Sequence, residues 1–496
     1  MRRLFLVLLL AAPLFAATPA TWGHLQKGPY AVGYKLLDQY DYTRPYWTAA
    51  DLEGKPRTIE RARPMRISVW YPAKESNAPF MTMGDYLDQI GVEDRMTASI
   101  TDEQKQAGRN ALFSFQLLRQ ATTEQRAKLD ALQTLAQRSA PAASGQFPLI
   151  LYSLGSAAPA AITPEYLASH GYIVMQMPRL GAFAGLPPDS PFDMSDKIAD
   201  TNFLLQAAHE IPNADVHNIG AIGFSAGGRW ALSEAMRTSD VHAVVSLDSV
   251  MLFNDQTATN WRALPLYDLG AVRVPVLHMI RRTWVPQQDA SMWEKLRFAD
   301  RTQIVFEDPN LDHFDFQSLD FVLTLTGWRA ADAALVSDTF HRFHELTLAF
   351  LDHNLKNAPA VEVTAEHATI THVAAVPAPV QVADVMNAIA EGKTELALKL
   401  GAKNVDEATL NLAGYQLMGN RRFEDAIRIL QMNADAHPDS ANAYDSLGDA
   451  YVAAGNTEKA AEAAKKAEEL LAKDTTTPAA RKQAIAASIQ AKLKAK

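Results

Sequence analysis

The stretch Gly223-Phe224-Ser225-Ala226-Gly227 places one serine between two glycines, in the pattern G-x-S-x-G. It follows the largely apolar run 217–222 and precedes a run that favours a helix, residues 228–236. A strand, a sharp turn that carries a serine and then a helix are the context of a nucleophile elbow. Glycines let the backbone bend at such a turn without a clash from a Cβ atom. The pattern therefore predicts an exposed, reactive hydroxyl on Ser225.

The same turn predicts a site for a negatively charged oxygen. The helix that follows Ser225 points its first N–H groups and the positive end of its dipole at the turn. We expect the N–H of Ala226 to form an oxyanion hole with an N–H from an earlier loop, at Gly155 or Ser156. A glycine-containing loop is also an ordinary strand-to-helix connection, so a purely structural role for this loop stays open.

A serine hydroxyl becomes a good nucleophile when a base removes its proton and an acid orients that base. After this kind of elbow the expected chain order is acid and then histidine. We predict His313 as the base because it lies in a polar loop directly after the last predicted strand. Asp248 is the predicted acid because it ends the strand after the elbow helix, and Asp289, beyond the next strand, is the alternative. An aspartate where a strand gives way to a helix is also a common N-cap.

Apolar runs that alternate with helical stretches predict an α/β sheet from about Thr58 onward. An amphipathic helix over 339–355 is expected to close the domain against this sheet. The predicted strands are 65–72, 147–153, 172–177, 219–223, 242–247, 274–280 and 302–307.

Residues 85–139 differ from the rest, because their apolar residues recur at helical spacing. Leu129, Leu132 and Leu135 are part of this pattern. We predict two or three helices inserted ahead of the central strands. The insertion either packs structurally against the domain or forms a lid over the site, and both interpretations stay open.

Residues 357–381 are rich in Ala, Pro and Val, which predicts a linker. The chain before it, residues 21–356, is the predicted α/β domain. The chain after it, residues 382–496, turns to Ala, Glu, Lys, Leu and Asn, a composition that predicts helices.

The helical region contains two copies of a 34-residue unit, and it resembles the tetratricopeptide repeat. An ordinary pair of Ala-rich helical hairpins is the alternative interpretation. Repeats of this type present a concave surface to peptides or proteins, so the resemblance implies a protein partner or self-association. The paired positions are Leu410 with Tyr444, Ala413 with Leu447, Gly414 with Gly448, Leu417 with Tyr451, Ala426 with Ala460, Leu430 with Ala464, and Asn433 with Ala467.

Composition limits the partners and cofactors of the chain. With 496 residues, two or three domains are expected. The formal net charge of −9 argues against nucleic acid, because phosphate binding needs clustered Lys and Arg. The sequence has no H-E-x-x-H, no Walker sequence and no Cys ligand, so we expect neither a metal nor an organic cofactor.

The start of the chain predicts export. Met1-Arg2-Arg3 is followed by the short apolar run 4–17, which predicts a signal peptide over residues 1–20 and a periplasmic or secreted protein. No other stretch is long and apolar enough to span a membrane, so none is expected in the mature chain. The chain has no cysteine, which excludes disulfides and a thiol nucleophile, so its core must stabilise the fold alone.

Several of these motifs together resemble the platelet-activating-factor acetylhydrolase and dienelactone-hydrolase-like esterases. The shared features, over about residues 57–355, are the strand ending Val69-Trp70-Tyr71-Pro72, the loop 152–155, the elbow, Asp248 and the element 313–316. The resemblance implies an α/β-hydrolase fold, here with inserted helices, and it does not reach the repeats. The fold class expected for the whole chain is this α/β-hydrolase fold followed by an all-α helical-repeat domain. This chain departs from the family at Leu154, which stands where the family usually has a histidine before the glycine. The family's substrate preference is therefore not carried over to this chain.

These observations lead to one main hypothesis and two alternatives. The main hypothesis is an exported serine hydrolase that cleaves a small-molecule carboxylic ester through Ser225, His313 and Asp248. The first alternative is a peptidase or amidase of the same fold. The second is a binding protein whose hydrolase domain is inactive and whose repeats hold a partner.

Overall fold

The structure, a computed structural model, describes most of the chain in two compact units. The first unit ends at Val376 and the second begins at Pro377. The described residues are 18–46, 62–90, 100–113, 120–154, 161–176, 191–265, 267–328, 333–360, 367–380, 382–390, 392–400 and 405–494.

The described part of the first unit contains strands and helices that alternate from residue 147 onward. The strands are β1 Ala31–Asp41, β2 Arg63–Ala73, β3 Phe80–Thr82, β4 Gln133–Arg138, β5 Phe147–Leu154, β6 Ile173–Gln176, β7 Ala214–Phe224, β8 Val241–Leu247, β9 Val276–Arg281, β10 Arg301–Phe306 and β11 Ala368–Val373. The helices are α1 Met83–Ile90, α2 Asp102–Phe113, α3 Thr123–Ala131, α4 Ile162–Ser169, α5 Pro191–Ala208, α6 Gly227–Arg237, α7 Gln256–Arg262, α8 Ala290–Lys295, α9 Leu319–Thr324 and α10 Ala333–Lys356.

These strands form one mixed sheet in the order β11-β10-β9-β8-β7-β5-β6-β2-β1-β4-β3. Its central strands, β6, β5, β7, β8, β9 and β10, run parallel to one another. β2 pairs antiparallel with β6, and β1 pairs antiparallel with β2. The chain leaves β5 for β6 on one side and then crosses to β7 on the other side. This topology is the α/β-hydrolase fold, and the fold predicted from the sequence is confirmed.

Helices cover both faces of the sheet, which explains why its central strands are almost continuously apolar. Along β5, Ile150 and Tyr152 point into the core shared with α4 and α10. Leu149 and Leu151 point into the opposite core, which is shared with α5 and α6. All four side chains are buried. The rigid strands therefore fix the position of their carboxyl ends, where the predicted site residues lie.

The insertion 85–139 contains a strand as well as helices, which corrects part of the helical prediction. Helix α3 ends at Ala131, and Leu135 lies in β4, which pairs with β1 and β3. The three-residue spacing of Leu129, Leu132 and Leu135 suggests one continuous helix, but this spacing continues past the end of α3. Leu135 is nevertheless buried, since alternate residues of a strand face the core.

The predicted linker 357–381 also contains a strand. β11 pairs antiparallel with β10, from Ala368 opposite Phe306 to Val373 opposite Arg301. Its sequence is rich in β-branched residues, which favour strands. The prolines on either side of this strand favour a linker over the whole segment when the sequence is taken alone. Part of the predicted linker is thus the last strand of the sheet.

A buried carboxylate ties the start of the chain and the insertion to α4. Glu165 accepts hydrogen bonds from Trp22 Nε1 at 3.2 Å, from the Tyr86 hydroxyl at 2.7 Å and from the N–H of Leu135 at 2.8 Å. Burial raises the pKa of this carboxyl. The described part of the insertion is therefore integrated into the core of the first unit.

The second unit is helical throughout its described part. Its helices α13 (Glu407–Gly419) and α15 (Ala441–Ala453) begin 34 residues apart, and so do α14 (Phe423–Ala436) and α16 (Thr457–Lys473). This interval matches the spacing of the two sequence copies. Gly414 in α13 lies against the side chain of Leu430 in α14, as expected where two helices approach closely. No helix in the described residues combines the length and apolar character needed to cross a membrane. The helices are α11 Val382–Ala390, α12 Thr394–Leu400, α13 Glu407–Gly419, α14 Phe423–Ala436, α15 Ala441–Ala453, α16 Thr457–Lys473 and α17 Ala479–Lys494.

Candidate active site

Ser225 lies on the tight turn between the end of β7 and the start of α6. Its φ of 57° is in the left-handed region, which is unfavourable for a residue with a side chain. Hydrogen bonds hold it there: its N–H donates to Leu247 O, and its carbonyl accepts from Gly228 N and Val250 N, each at 3.2 Å. Strain of this kind persists only when the surroundings enforce it, and it is frequent at functional sites.

The two glycines of the motif are needed for close packing. A Cβ atom on Gly223 would lie 2.3 Å from the carbonyl oxygen of Gly227. A Cβ atom on Gly227 would lie 2.1 Å from the carbonyl oxygen of Ser153, at the end of β5. Neither glycine is among the residues with positive φ, so the left-handed turn residue is the serine itself. The glycines bring α6 against the ends of β5 and β7.

Ala226 lies at the N-cap position of α6, and its side chain is half-buried. The first N–H groups of a helix have no partner within the helix, and they carry the positive end of its dipole. The Ala226 N–H is therefore placed to stabilise a negative oxygen beside Ser225. The other two predicted oxyanion-hole residues, Gly155 and Ser156, lie outside the described residues.

His313 and Asp248 are hydrogen-bonded to each other. His313 Nδ1 lies 2.8 Å from Asp248 Oδ2. Because a carboxylate only accepts, Nδ1 carries the proton and Nε2 keeps its lone pair. A 3₁₀ helix, His313–Gln317, positions the ring, and it begins with a capping box formed by Asp312 and Asp315. The neutral tautomer that this pairing selects is the one that accepts a proton at Nε2.

The imidazole of His313 is held between two aromatic rings. Phe224, the residue before Ser225, stacks on it with a centroid separation of 4.5 Å and an interplanar angle of 21°. Trp284 contacts it at 4.5 Å and 31°. The Phe224 contact puts the histidine beside the elbow, and the two rings restrict its rotation. The structure records no hydrogen bond between Ser225 Oγ and His313 among the described residues.

Asp248 is fully buried. It directly follows β8, the strand that lies beside β7 and its elbow. Its N–H donates to Met279 O at 2.8 Å, and its φ of 35° is positive. Oδ1 accepts the backbone N–H of Arg281 at 3.0 Å. Oδ2 lies 3.0 Å from Arg281 Nε. The carboxylate is thus shared between a histidine and an arginine.

The alternative acid, Asp289, has other partners. Its side chain caps α8 by accepting the N–H of Ser291 at 2.9 Å. It also pairs with Arg262 at 3.1 Å. The residue whose carboxylate contacts His313 is Asp248.

Two other histidines of the first unit are buried core residues. His278 in β9 contacts Ser246 Oγ at 2.8 Å and Gln288 Nε2 at 2.7 Å. His344 in α10 contacts Thr163 Oγ1 at 2.9 Å and Phe340 O at 2.7 Å. Burial lowers the pKa of each to about 3, so both are neutral at ordinary pH.

Sequence reasoning missed three residues of this site: Phe224, Arg281 and Trp284. Arg281 is the last residue of β9, so the reasoning that selected Asp248, a polar residue at a strand end, applies to it as well. The aromatic contacts carry no comparable signal, because they depend on how the 3₁₀ helix Arg282–Gln287 folds back over the site. The described residues contain no group of three or more His, Asp or Glu side chains placed to hold a metal ion.

No family model and no curated protein matches this chain. Solved structures that match include a ferulic acid esterase from Streptomyces cinnamoneus, which is 18% identical with a TM-score of 0.48. That match covers 72% of this chain and 98% of the esterase. An acylaminoacyl peptidase from Pyrococcus horikoshii is 16% identical with a TM-score of 0.32, covering 43% of this chain and 38% of the peptidase.

Proposed function

We propose that this protein is a serine hydrolase that cleaves carboxylic esters. The observation that carries the proposal is the hydrogen bond from His313 to the buried Asp248, next to a serine on a strained strand-to-helix turn. A serine, a histidine and an aspartate in these roles form a catalytic triad irrespective of their order in the chain.

In the proposed reaction, Ser225 Oγ attacks the acyl carbon and His313 Nε2 takes the hydroxyl proton. The negative oxygen that forms on the acyl carbon is stabilised by the Ala226 N–H at the start of α6. His313 then donates the proton to the leaving alcohol, which leaves an acyl group on Ser225. Water, deprotonated by the same nitrogen, attacks the acyl carbon and breaks its bond to Ser225 Oγ, which takes the proton back from His313 as the acid is released. Asp248 holds the imidazole in the required tautomer and stabilises its charged form.

The first test is labelling with a fluorophosphonate, which reacts with activated serines. We expect the wild type to be labelled and Ser225→Ala to be unlabelled. The kcat/KM of Ser225→Ala for p-nitrophenyl acetate should be lower than that of the wild type by about 10⁴-fold or more. Ser239→Ala, at an exposed serine near the end of α6, is the matched control and should be labelled like the wild type. An unlabelled but folded wild type contradicts the proposal. Hydrolysis of peptide anilides in preference to esters would favour the peptidase alternative.

The identity of the acid is tested by comparing two aspartates. We expect Asp248→Asn to lower kcat by about 10³- to 10⁴-fold, because the histidine then loses the partner that fixes its tautomer. Asp289→Asn should change kcat little, since Asp289 caps α8 and pairs with Arg262. Steady-state kinetics on p-nitrophenyl acetate measures both. A larger loss in Asp289→Asn would overturn the assignment of Asp248.

We also propose that the protein is exported. The basis is the sequence of residues 1–20, of which residues 1–17 lie outside the described part of the chain. Cell fractionation together with N-terminal sequencing of the purified protein tests this proposal. A cytoplasmic protein that still begins at Met1 would contradict it.

A further inference from the structure

The residue that most distinguishes this site from a plain serine–histidine–aspartate arrangement is Arg281. Its backbone N–H donates to Asp248 Oδ1 at 3.0 Å, and its Nε lies 3.0 Å from Oδ2. Within the described part of the chain, Nε makes no aligned hydrogen bond, so its contact with the carboxylate is an ion pair. The aligned hydrogen bond to Oδ2 comes from His313. Arg281 therefore supplies charge to the acid without displacing the histidine.

The burial of Asp248 makes this charge necessary. The carboxylate has no exposed surface, and a buried charge without a partner is strongly unfavourable. In the form that accepts the serine proton, His313 is a neutral ring and offers no full positive charge to the carboxylate. Among the described residues, Arg281, whose side chain is 15% exposed, is the cation in direct contact with the carboxylate. It supplies the opposite charge to Asp248 and holds its carboxylate in place.

Arg281 also contacts the ring that packs on the histidine. Its guanidinium carbon lies 4.3 Å from the centroid of Trp284, in a cation–π contact. Trp284 in turn contacts the imidazole of His313. One arginine therefore supports the acid through charge and the base through an aromatic ring.

We infer that Arg281 is a positioning residue for the reaction, acting through both Asp248 and Trp284. It fixes the carboxylate and the imidazole in the geometry that proton transfer requires. Misplacement of a catalytic group by about 1 Å lowers rates by about 100-fold. This inference rests on the proposed esterase function.

The neighbouring arginine provides a matched control. Arg282 has the same charge and an adjacent position, but it pairs with Glu307 and its side chain is 53% exposed. We expect Arg281→Gln to lower kcat for p-nitrophenyl acetate by about 100-fold with KM within about 2-fold of wild type. Arg282→Gln should leave both constants within about 2-fold, because an exposed ion pair contributes little. Arg281→Lys keeps the charge and should retain kcat within about 10-fold.

A double-mutant cycle separates positioning from a general structural effect. If Arg281 acts through the acid, Arg281→Gln should add less than about 3-fold to the loss caused by Asp248→Asn. Equal kcat values for Arg281→Gln and Arg282→Gln, a loss confined to KM, or full additivity with Asp248→Asn would each overturn the inference.

Folding and the underlying activity are checked separately. The melting temperature of each variant shows whether it is folded. If Arg281→Gln does not fold, Arg281→Lys decides, and a folded Lys variant with a 100-fold loss of kcat would overturn the role of the charge. An active wild type with unchanged variants contradicts only the role of Arg281. A wild type without esterase activity or fluorophosphonate labelling overturns the proposed function, and this inference with it.

Discussion

Ser225 is held in a conformation that serine rarely adopts, and contacts from the neighbouring residues keep it there. The left-handed φ is maintained by three backbone hydrogen bonds and by two glycines that let β5, β7 and α6 meet closely. Left-handed backbone is unfavourable by about 1–2 kcal/mol for residues other than glycine. The packing around the turn therefore offsets a local strain that serves to expose one hydroxyl.

Substitution of Gly227 by alanine tests this packing. The new Cβ atom would lie 2.1 Å from the backbone oxygen of Ser153. A backbone atom in a strand cannot shift away as the end of a flexible side chain can. We expect the free energy of unfolding to fall by about 1–3 kcal/mol, the usual effect of overpacking, and esterase activity to be lost with the turn geometry. Urea denaturation and steady-state kinetics measure the two effects. Gly419→Ala, where a Cβ atom meets nothing within 4 Å, is the control and should leave activity unchanged.

At the residue scale, the sequence was informative where a residue's position follows from a strand end. Asp248 and His313 were selected because each follows a parallel strand, and the carboxyl ends of such strands lie at one edge of the sheet. Arg281 also lies at the end of a parallel strand, β9, so the same criterion applies to it. Trp284 and Phe224 were not predictable, since their contacts with His313 depend on the packing of a short 3₁₀ helix and a strand end.

Among the elements, α6 carries an unusual buried acid besides its role at the elbow. Glu234 is 3% exposed, and its Oε1 has no hydrogen-bond partner among the residues that the structure describes. Burial raises the pKa of this carboxyl from 4.5 to about 7. The folded protein thus holds a proton on Glu234 that the unfolded chain releases at lower pH.

The pH dependence of stability follows from this shift. Because the pKa is higher in the folded state, the wild type loses stability as the pH rises from about 4.5 to about 7, by an amount on the order of 3 kcal/mol. Glu234→Gln keeps the shape and cannot ionise, so it should be more stable than the wild type at pH 8 and similar to it at pH 4. Urea denaturation at the two pH values measures the difference. Glu294→Gln, at an exposed residue of α8, is the control. Equal stability of wild type and Glu234→Gln at pH 8 would contradict the prediction.

The strands that were predicted correctly are those buried on both faces of the sheet, because burial produces a continuous apolar run. β1, β3, β4 and β11 were missed, and they lie toward the two edges of the sheet. β1 is buried in its first half and mostly half-buried or exposed in its second half, and part of β11 is exposed. A strand that buries only part of its surface leaves a weaker signal in the sequence than its neighbours do.

For the whole molecule, the division into two units at Val376 makes the independence of the first unit testable. We expect a chain that ends at Val376 to fold and to keep esterase activity, because all described residues of the candidate site precede that point. A chain that ends at Asn357 should be unstable or aggregate, because it loses β11 and exposes the edge of β10. Size-exclusion chromatography and kinetics compare the two. An inactive but folded chain ending at Val376 would show that the helical unit supports the enzyme.

The burial of Trp22 limits where the proposed signal peptide could be cleaved. Thr21 and Trp22 have no exposed surface, and the indole contacts both Glu165 and the ring of Tyr166. A leader peptidase that cut after Trp22 would remove a core side chain and leave Glu165 with one donor fewer. Loss of a buried tryptophan side chain costs about 3–5 kcal/mol. If the chain is exported as proposed, we therefore expect cleavage before Thr21, so that the remaining chain keeps the indole that its core contains.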